Sequence, residues 1–284
     1  MTPIRPVGRL RSLLFAPAVR PDFIAKLPER GADAVVIDCE DATPANAKAE
    51  GRRHARQLAP TLIESGCQTM VRVNALSTEW IQADIGDGLA TGLAAIVLPK
   101  AESTAGLDAV AAMLNAAGHP GVGILAGIET ALGVADARPL LAHPRVVAAY
   151  FGAEDFVADM GGVRTESNDE VVYARSVVAL AGRLAGVPVL DQVVTDFRND
   201  DRFTREAAAA RALGYAGKLC IHPDQVAIAN AAFVPSADEV DRARRLLEAY
   251  ETASAAGVAA IDFEGQMVDE PLAAQARRIL TLAD

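Results

Sequence analysis

Short apolar runs recur along the chain, each followed by a longer amphipathic or alanine-rich stretch. These runs predict eight strands, over residues 12–16, 33–38, 68–73, 93–98, 121–128, 146–151, 187–190 and 214–221. The stretches between them predict helices over 21–30, from Pro44 to about 56, 81–90, 104–117, 131–137, 169–185 and 201–213. The strands are continuously apolar rather than alternating, as in a parallel sheet covered on both faces. Eight such units in a chain of 284 residues predict an α/β fold, a TIM (β/α)8 barrel. An open doubly wound sheet is the alternative, but no G-x-G-x-x-G follows the first strand. From Phe233 the pattern changes. A strongly helical stretch over 237–256 is followed by a loop or hairpin over 257–265 and a final helix after Pro271. The expected organisation is a catalytic barrel over 1–232 and a C-terminal helical appendage over 233–284, lying over the barrel mouth or on a neighbouring subunit.

A TIM barrel builds its active site at the carboxyl ends of its strands. The chain puts opposed charges there: Asp38, Glu40 and Asp41; Arg72; Lys100 and Glu102; Glu129; Glu154 and Asp155; Asp191; Lys218 and His222. Glu129 and Asp155 follow consecutive apolar strands. A carboxylate delivered by a buried strand is costly unless a cation meets it. Two converging carboxylates suit a hard divalent cation such as Mg2+. Each residue taken alone reads equally as a helix-capping carboxylate. Glu154 is expected to face away from its neighbour. Lys218 and Asp191 read as a structural ion pair, and His222 before Pro223 as a structural histidine. Lys100 is open between binding a phosphate of the substrate and pairing with Glu102 or Glu129. Arg20, in the first strand–helix loop, is a candidate for the same phosphates. Glu40 and Asp41 are candidates for orienting metal-bound water or Arg72, with Asp41 alternatively capping the helix after Pro44.

Composition narrows the class. Lys and Arg number 27 against 37 Asp and Glu, a net charge of −10, and no basic stripe marks a nucleic-acid binder. The three cysteines, Cys39, Cys67 and Cys220, are widely spaced without a C-x-x-C and read as reduced thiols. The N-terminal apolar run is too short for a signal peptide, and nothing approaches the roughly 20 apolar residues of a membrane span. A cytoplasmic enzyme is the expectation.

Motifs then add a resemblance. RSLLFAP at 11–17, VIDCEDATP at 36–44, VRVN at 71–74, VLPKAES at 97–103, GIET at 127–130, FGAEDF at 151–156, GKLCIHPDQV at 217–226 and GQMVDEP at 265–271 resemble the citrate lyase β-subunit family. These are CoA-thioester lyases of the aldolase/citrate lyase superfamily, and the match runs through nearly the whole chain in order. The resemblance implies a Mg2+-dependent barrel that cleaves or forms a carbon–carbon bond between an acyl-CoA and a 2-oxo acid such as oxaloacetate, glyoxylate or pyruvate. It puts the metal carboxylates at Glu129 and Asp155 and the oxo-acid arginine at Arg72. It matches Asp269 to an appendage aspartate that reaches an adjacent subunit's site, in a homotrimer or hexamer.

That chemistry is consistent with the residues. Arg72 supplies a planar, always-charged fork for a carboxylate, and a carboxylate under a lid suits proton transfer at carbon. Three alternatives remain at this point. The chain is the β subunit of a multi-subunit citrate lyase acting on a carrier-bound thioester, a CoA-independent class II pyruvate aldolase, or a non-catalytic interaction barrel. The Glu154-Asp155 pair in place of a GPxD-like turn argues against the aldolase, and the intact set of Arg72, Glu129, Asp155 and Asp269 against a silent barrel.

Overall fold

Eight strands occupy the apolar runs: β1 (Ser12–Pro17), β2 (Ala34–Asp38), β3 (Gln68–Arg72), β4 (Ala95–Leu98), β5 (Gly123–Ile128), β6 (Val146–Phe151), β7 (Val189–Asp191) and β8 (Gly217–Cys220). In the computed structural model, which describes residues 3–283, they form a closed barrel in chain order. Every neighbouring pair is parallel, and β8 closes on β1 through Ser12↔Lys218 to Leu14↔Cys220. The helices between are α1 (Pro21–Ile24), α2 (Lys48–Glu64), α3 (Ile81–Asp87), α4 (Thr104–Ala116), α5 (Ala131–Ala135), α6 (Ala137–Leu141), α7 (Ala153–Asp159), α8 (Val172–Ala185) and α9 (Asp200–Leu213), with α10 (Asp224–Ala232) after β8.

The barrel expectation is met, with local differences. The helix expected over 21–30 is broken: α1 stops at Ile24 and a separate 3-10 turn, Leu27–Arg30, contains Pro28. Pro28 has no N–H to donate to the fourth residue before it, Ile24, where α1 ends. The helix α2 extends to Glu64 rather than about 56, and α10 was not foreseen; its Pro223-Asp224 start is a helix-opening pattern.

Side chains alternate across each strand, and the interior set is Leu13, Val36, Met70, Val97, Leu125, Ala148, Tyr150, Leu190 and Leu219 with their neighbours. Continuing that alternation toward the carboxyl ends leads from Val36 to Asp38, from Met70 to Arg72, and from Leu125 through Gly127 to Glu129. The floor of the mouth is thus charged while the layers beneath it are apolar.

The chain divides into two compact units between Ala231 and Ala232. The second contains α11 (Ala237–Ala255), the antiparallel hairpin β9 (Ile261–Phe263) and β10 (Gln266–Val268), and α12 (Glu270–Ala283). Ser236 and Glu239 form a capping box at the start of α11. The hairpin turns through Glu264 and Gly265, both at positive φ (55° and 79°), as a two-residue hairpin loop requires. Arg242 and Arg245 pair with Glu264. This unit packs its own cluster of Ala243, Leu246, Leu247, Tyr250, Val268, Ala273 and Ala276.

Candidate active site

The inward carboxyl ends of β2, β3 and β5 converge on one cluster. Arg72 donates from Nε to Asp38 Oδ1 (2.7 Å) and from Nη2 to Asp38 Oδ2 (2.6 Å), a bidentate clamp. Its Nη1 lies 3.1 Å from Glu40 Oε2. That oxygen is buried and makes no hydrogen bond among the described residues, so the contact is one of charge rather than of bond geometry. Burial opposes a charge on Arg72, but Asp38 above all, with Tyr150 and Glu40 adding, outweighs it and raises the guanidinium well above its ordinary value. The guanidinium also stands over Phe15, 5.2 Å from the ring centre. Asp38 is fixed in turn by the backbone N–H of Glu40 at 2.9 Å.

Lys100 turns the chain at the end of β4 with φ 51°. Its Nζ lies 3.0 Å from Glu40 Oε1 and 3.2 Å from Asp155 Oδ1. The partners suggested by the sequence were Glu102 and Glu129; the side chain takes neither, although its backbone N–H donates to Glu129 Oε1 at 2.8 Å. The charges of Glu40 and Glu129 more than offset burial and raise the Lys100 ammonium above its ordinary value.

Glu129, 2% exposed, sits directly beyond β5. Its Oε2 accepts from the hydroxyl of Tyr150 at 2.8 Å. Tyr150 was missed by the sequence reading because an aromatic residue inside an apolar strand looks like core. Its inward position in β6, two residues after Ala148, was the available signal. Gly127 and Gly152 leave the space: a Cβ at either position would collide with Tyr150 or Glu129. Burial, then the charge of Asp155, push Glu129 up to about 7. Burial also lifts Glu40, in spite of Arg72 and Lys100.

Asp155 does not leave a strand end as the apolar pattern suggested. Gly152 ends β6 and starts α7, which puts Glu154 and Asp155 in the first helical turn. The two diverge: Asp155 meets Lys100, while Glu154 Oε1 accepts from Arg164 Nε at 3.0 Å.

Other candidates are placed elsewhere. Asp41 is exposed and caps nothing, since neither the 3-10 turn after Pro44 nor α2 has a side-chain cap. Arg20 is exposed in the loop after β1, where it pairs with Asp22 and lies 3.6 Å over the Phe23 ring. Lys218 and Asp191 belong to the charged rim only in sequence. Alternation turns them outward, away from Leu219 and Leu190, into a fully buried ion pair of 2.6 Å behind the barrel wall. His222 stacks on Phe197 with ring centres 5.0 Å apart. Asp269 lies in the second unit before α12, where its carbonyl accepts from Ala273 and its Oδ1 is buried without a hydrogen-bond partner among the described residues.

Among the described residues no three His, Cys, Asp or Glu side chains form a metal-holding group. Mg2+ does not need one, because it is commonly held by one or two carboxylates with water and substrate completing the octahedron. Carboxylate oxygens are the donors that ion takes, and Asp155 stands near enough to Glu129 for its charge to add to burial, the larger cause, in raising Glu129. No described helix is long and apolar enough to cross a membrane.

A profile of the HpcH/HpaI aldolase/citrate lyase family matches residues 11–223, three quarters of the chain. The chain belongs to this family. It is 49% identical to a citrate lyase subunit beta-like protein of Deinococcus radiodurans, over 97% of this chain and 98% of that protein. It is 29% identical to the mitochondrial citramalyl-CoA lyase of Rattus norvegicus, over 96% of this chain and 86% of that one. Among solved structures, CitE of Mycobacterium tuberculosis in complex with magnesium, acetoacetate and coenzyme A superposes with a TM-score of 0.84 at 32% identity, covering 97% of this chain and 98% of that one.

Proposed function

We propose that this protein is a Mg2+-dependent carbon–carbon lyase that splits a 3-hydroxyacyl-CoA thioester of malyl, citramalyl or citryl type into an acyl-CoA and a 2-oxo acid. The observation that carries this reading is the single mouth in which Glu40 joins Arg72 to Lys100, Lys100 meets Asp155 and, by its backbone N–H, Glu129, and Tyr150 holds the other oxygen of Glu129. Glu129 and Asp155 would hold the ion. When bound, Mg2+ supplies a Lewis acid toward the oxygen that becomes the keto group and a template for the oxo acid.

The chain's own residues do the rest. Asp38 occupies Nε and Nη2 of Arg72, so the fork is held rigid, and Nη1, which makes only the charge contact with Glu40, is the corner that would turn to the substrate's carboxylate or developing oxyanion. Lys100 adds positive charge beside the same position and, with Arg20, is a candidate for the anionic groups of CoA. Glu40 orients Arg72 and Lys100 together, with Asp41 adding charge at the edge. As the carbon–carbon bond breaks, the hydroxyl proton would pass to water, and the bond's electron pair to the acyl α-carbon as a thioester enolate. Asp269 is assigned to protonate that carbon, or to accept its proton in the condensation direction. The assembly we propose is a homotrimer or hexamer in which Asp269 serves an adjacent subunit, in the cytoplasm.

The test is a panel of malyl-, citramalyl- and citryl-CoA assayed for acyl-CoA release with and without EDTA. Cleavage is expected to require Mg2+ and to disappear in Glu129→Ala; cleavage that survives both treatments overturns the reading. The similarity to a citrate lyase subunit beta-like protein favours one second reading, a subunit acting on a carrier-bound thioester. Copurification with two partner chains, together with inactivity on free CoA esters, selects it.

A further inference from the structure

Asp155 is carried on α7, a helix of seven residues, too short to hold its place by its own hydrogen bonds. Ala153, Phe156 and Val157 bury one side of it and Lys100 meets Asp155 itself, and two further side-chain ties hold its ends. At its C-terminal end, Asp159 Oδ2 accepts from the backbone N–H of Ala131 at 2.8 Å. At its first turn, Glu154 accepts from Arg164.

Arg164 is itself held on three sides. Besides Glu154, its guanidinium pairs with Glu170 and donates from Nη2 to Asn168 Oδ1 at 3.0 Å. Asn168 is 5% exposed and adopts a left-handed backbone, φ 61°, a conformation asparagine tolerates better than most residues. Its Oδ1 also accepts from Gln192 Nε2 at 2.7 Å, directly after β7. Gln192 donates in turn to Glu206 Oε2 at 3.2 Å, and Glu206 faces the buried Lys218 of β8. An unbroken series of polar contacts therefore runs from the outer wall of β7 and β8 to the helical turn that bears Asp155. The intervening segment is open to solvent around Val163, 78% exposed, and is otherwise held by backbone bonds of Gly161 and Gly162 to α7 and by Thr165 on Glu170.

We propose that Arg164 is a positioning residue for Asp155, acting through Glu154 to set the first turn of α7 and hence the carboxylate that would meet Mg2+. This rests on the reading of Asp155 as a metal ligand. Two consequences separate it from simpler accounts. Arg164 is a cation near a cation site, so long-range electrostatics alone makes its removal tighten Mg2+ binding, whereas loss of positioning weakens it. Glu154 is an anion, for which electrostatics and positioning both give weakening. The pair acts through one bond, so its losses are not additive.

The experiment measures Mg2+ binding to the full-length protein by titration calorimetry for the parent, Arg164→Ala, Arg164→Lys, Glu154→Ala and the Glu154→Ala/Arg164→Ala double variant, with far-UV circular dichroism on each. Arg164→Ala and Glu154→Ala are each expected to weaken binding by about 10–100-fold, the range found for groups that orient metal ligands. The double variant should be no weaker than the weaker single variant, and Arg164→Lys should fall between parent and alanine. Tighter or unchanged binding in Arg164→Ala, or additive losses in the double variant, overturns the proposal. Should Arg164→Ala fail to fold, Arg164→Lys and Glu154→Ala decide on the same criteria. A parent that binds no Mg2+ overturns the ligand assignment itself, a result distinct from a parent that binds while Arg164→Ala binds equally well.

Discussion

Glu129 is pulled between two roles by its surroundings. Burial and the Asp155 charge push it up to about 7, from the usual 4.5, while Tyr150 and Lys100 draw it down. Between those two values the metal-free folded protein holds a proton that the unfolded chain has released, so its stability falls as pH rises through that window. Mg2+ binding requires the ionised form and runs the other way. Affinity is expected to rise about tenfold per pH unit below 7 and to level off above it, with up to one proton released per ion; calorimetry in buffers of different ionisation enthalpy reads both. Glu129→Gln should abolish that dependence together with most of the binding. Tyr150→Phe removes a hydrogen bond that favours the carboxylate, so the midpoint should move to higher pH while the barrel stays folded. A flat pH profile in the parent contradicts the assignment of Glu129. The sequence singled out Glu129 and Asp155 because acidic residues follow two consecutive apolar strands, although Asp155 stands on the first turn of α7 rather than at a strand end. It hid Tyr150 and left the partners of Lys100 undecided, because both depend on which way a side chain faces across the barrel mouth.

At the scale of elements, alternation within each strand sorts the charged residues that the sequence leaves pooled at one rim. Asp38 and Arg72 fall on the inward parity of β2 and β3, whereas Asp191 and Lys218 fall on the outward parity of β7 and β8. Continuous apolar runs announce parallel strands, and for the same reason they conceal parity, so barrel closure was legible while of this division only the structural pairing of Lys218 with Asp191 was. The outward pair joins Arg175 of α8, which meets Asp191 at 3.0 and 3.1 Å, and Glu206 of α9, which lies 3.5 Å from Lys218. The network thereby ties two helices to two strands. Asp191→Ala would leave Arg175 and Lys218 as two buried cations without their shared anion, and unfolding in urea is expected to show a loss of about 3–5 kcal/mol. Lys218→Met leaves Asp191 with Arg175 and should cost less, about 1–3 kcal/mol. Equal losses in the two variants would mean that Asp191 does not anchor the network. The break at Pro28 and the helix opening at Pro223 follow the same local logic, since proline suits a helix start and costs a hydrogen bond within one, a cost the longer α2 carries at Pro60.

At the scale of the molecule, chemistry is divided between two units, each with its own packed core. The barrel carries every residue assigned to the metal and to the oxo acid, and the C-terminal unit carries the one assigned to protonate carbon. Binding and turnover should therefore separate under mutation. Asp269→Asn keeps the size of the side chain while removing its acid–base function. It is expected to lower the rate of acyl-CoA release by about 10²–10⁴-fold, the usual worth of a positioned acid or base, and to leave Mg2+ affinity unchanged. A chain ending at residue 232 should retain barrel ellipticity and Mg2+ binding and lose turnover in the same way. Mixing that truncated chain with Glu129→Gln protein adds a sharper readout. If Asp269 serves an adjacent subunit, the two inactive proteins should recover part of the parent rate after subunit exchange, one supplying the metal site and the other the aspartate. Recovery that stays at background, with mixed oligomers verified by light scattering and mass spectrometry, would confine Asp269 to its own chain. A rate in Asp269→Asn close to the parent's would remove it from the proton transfer altogether.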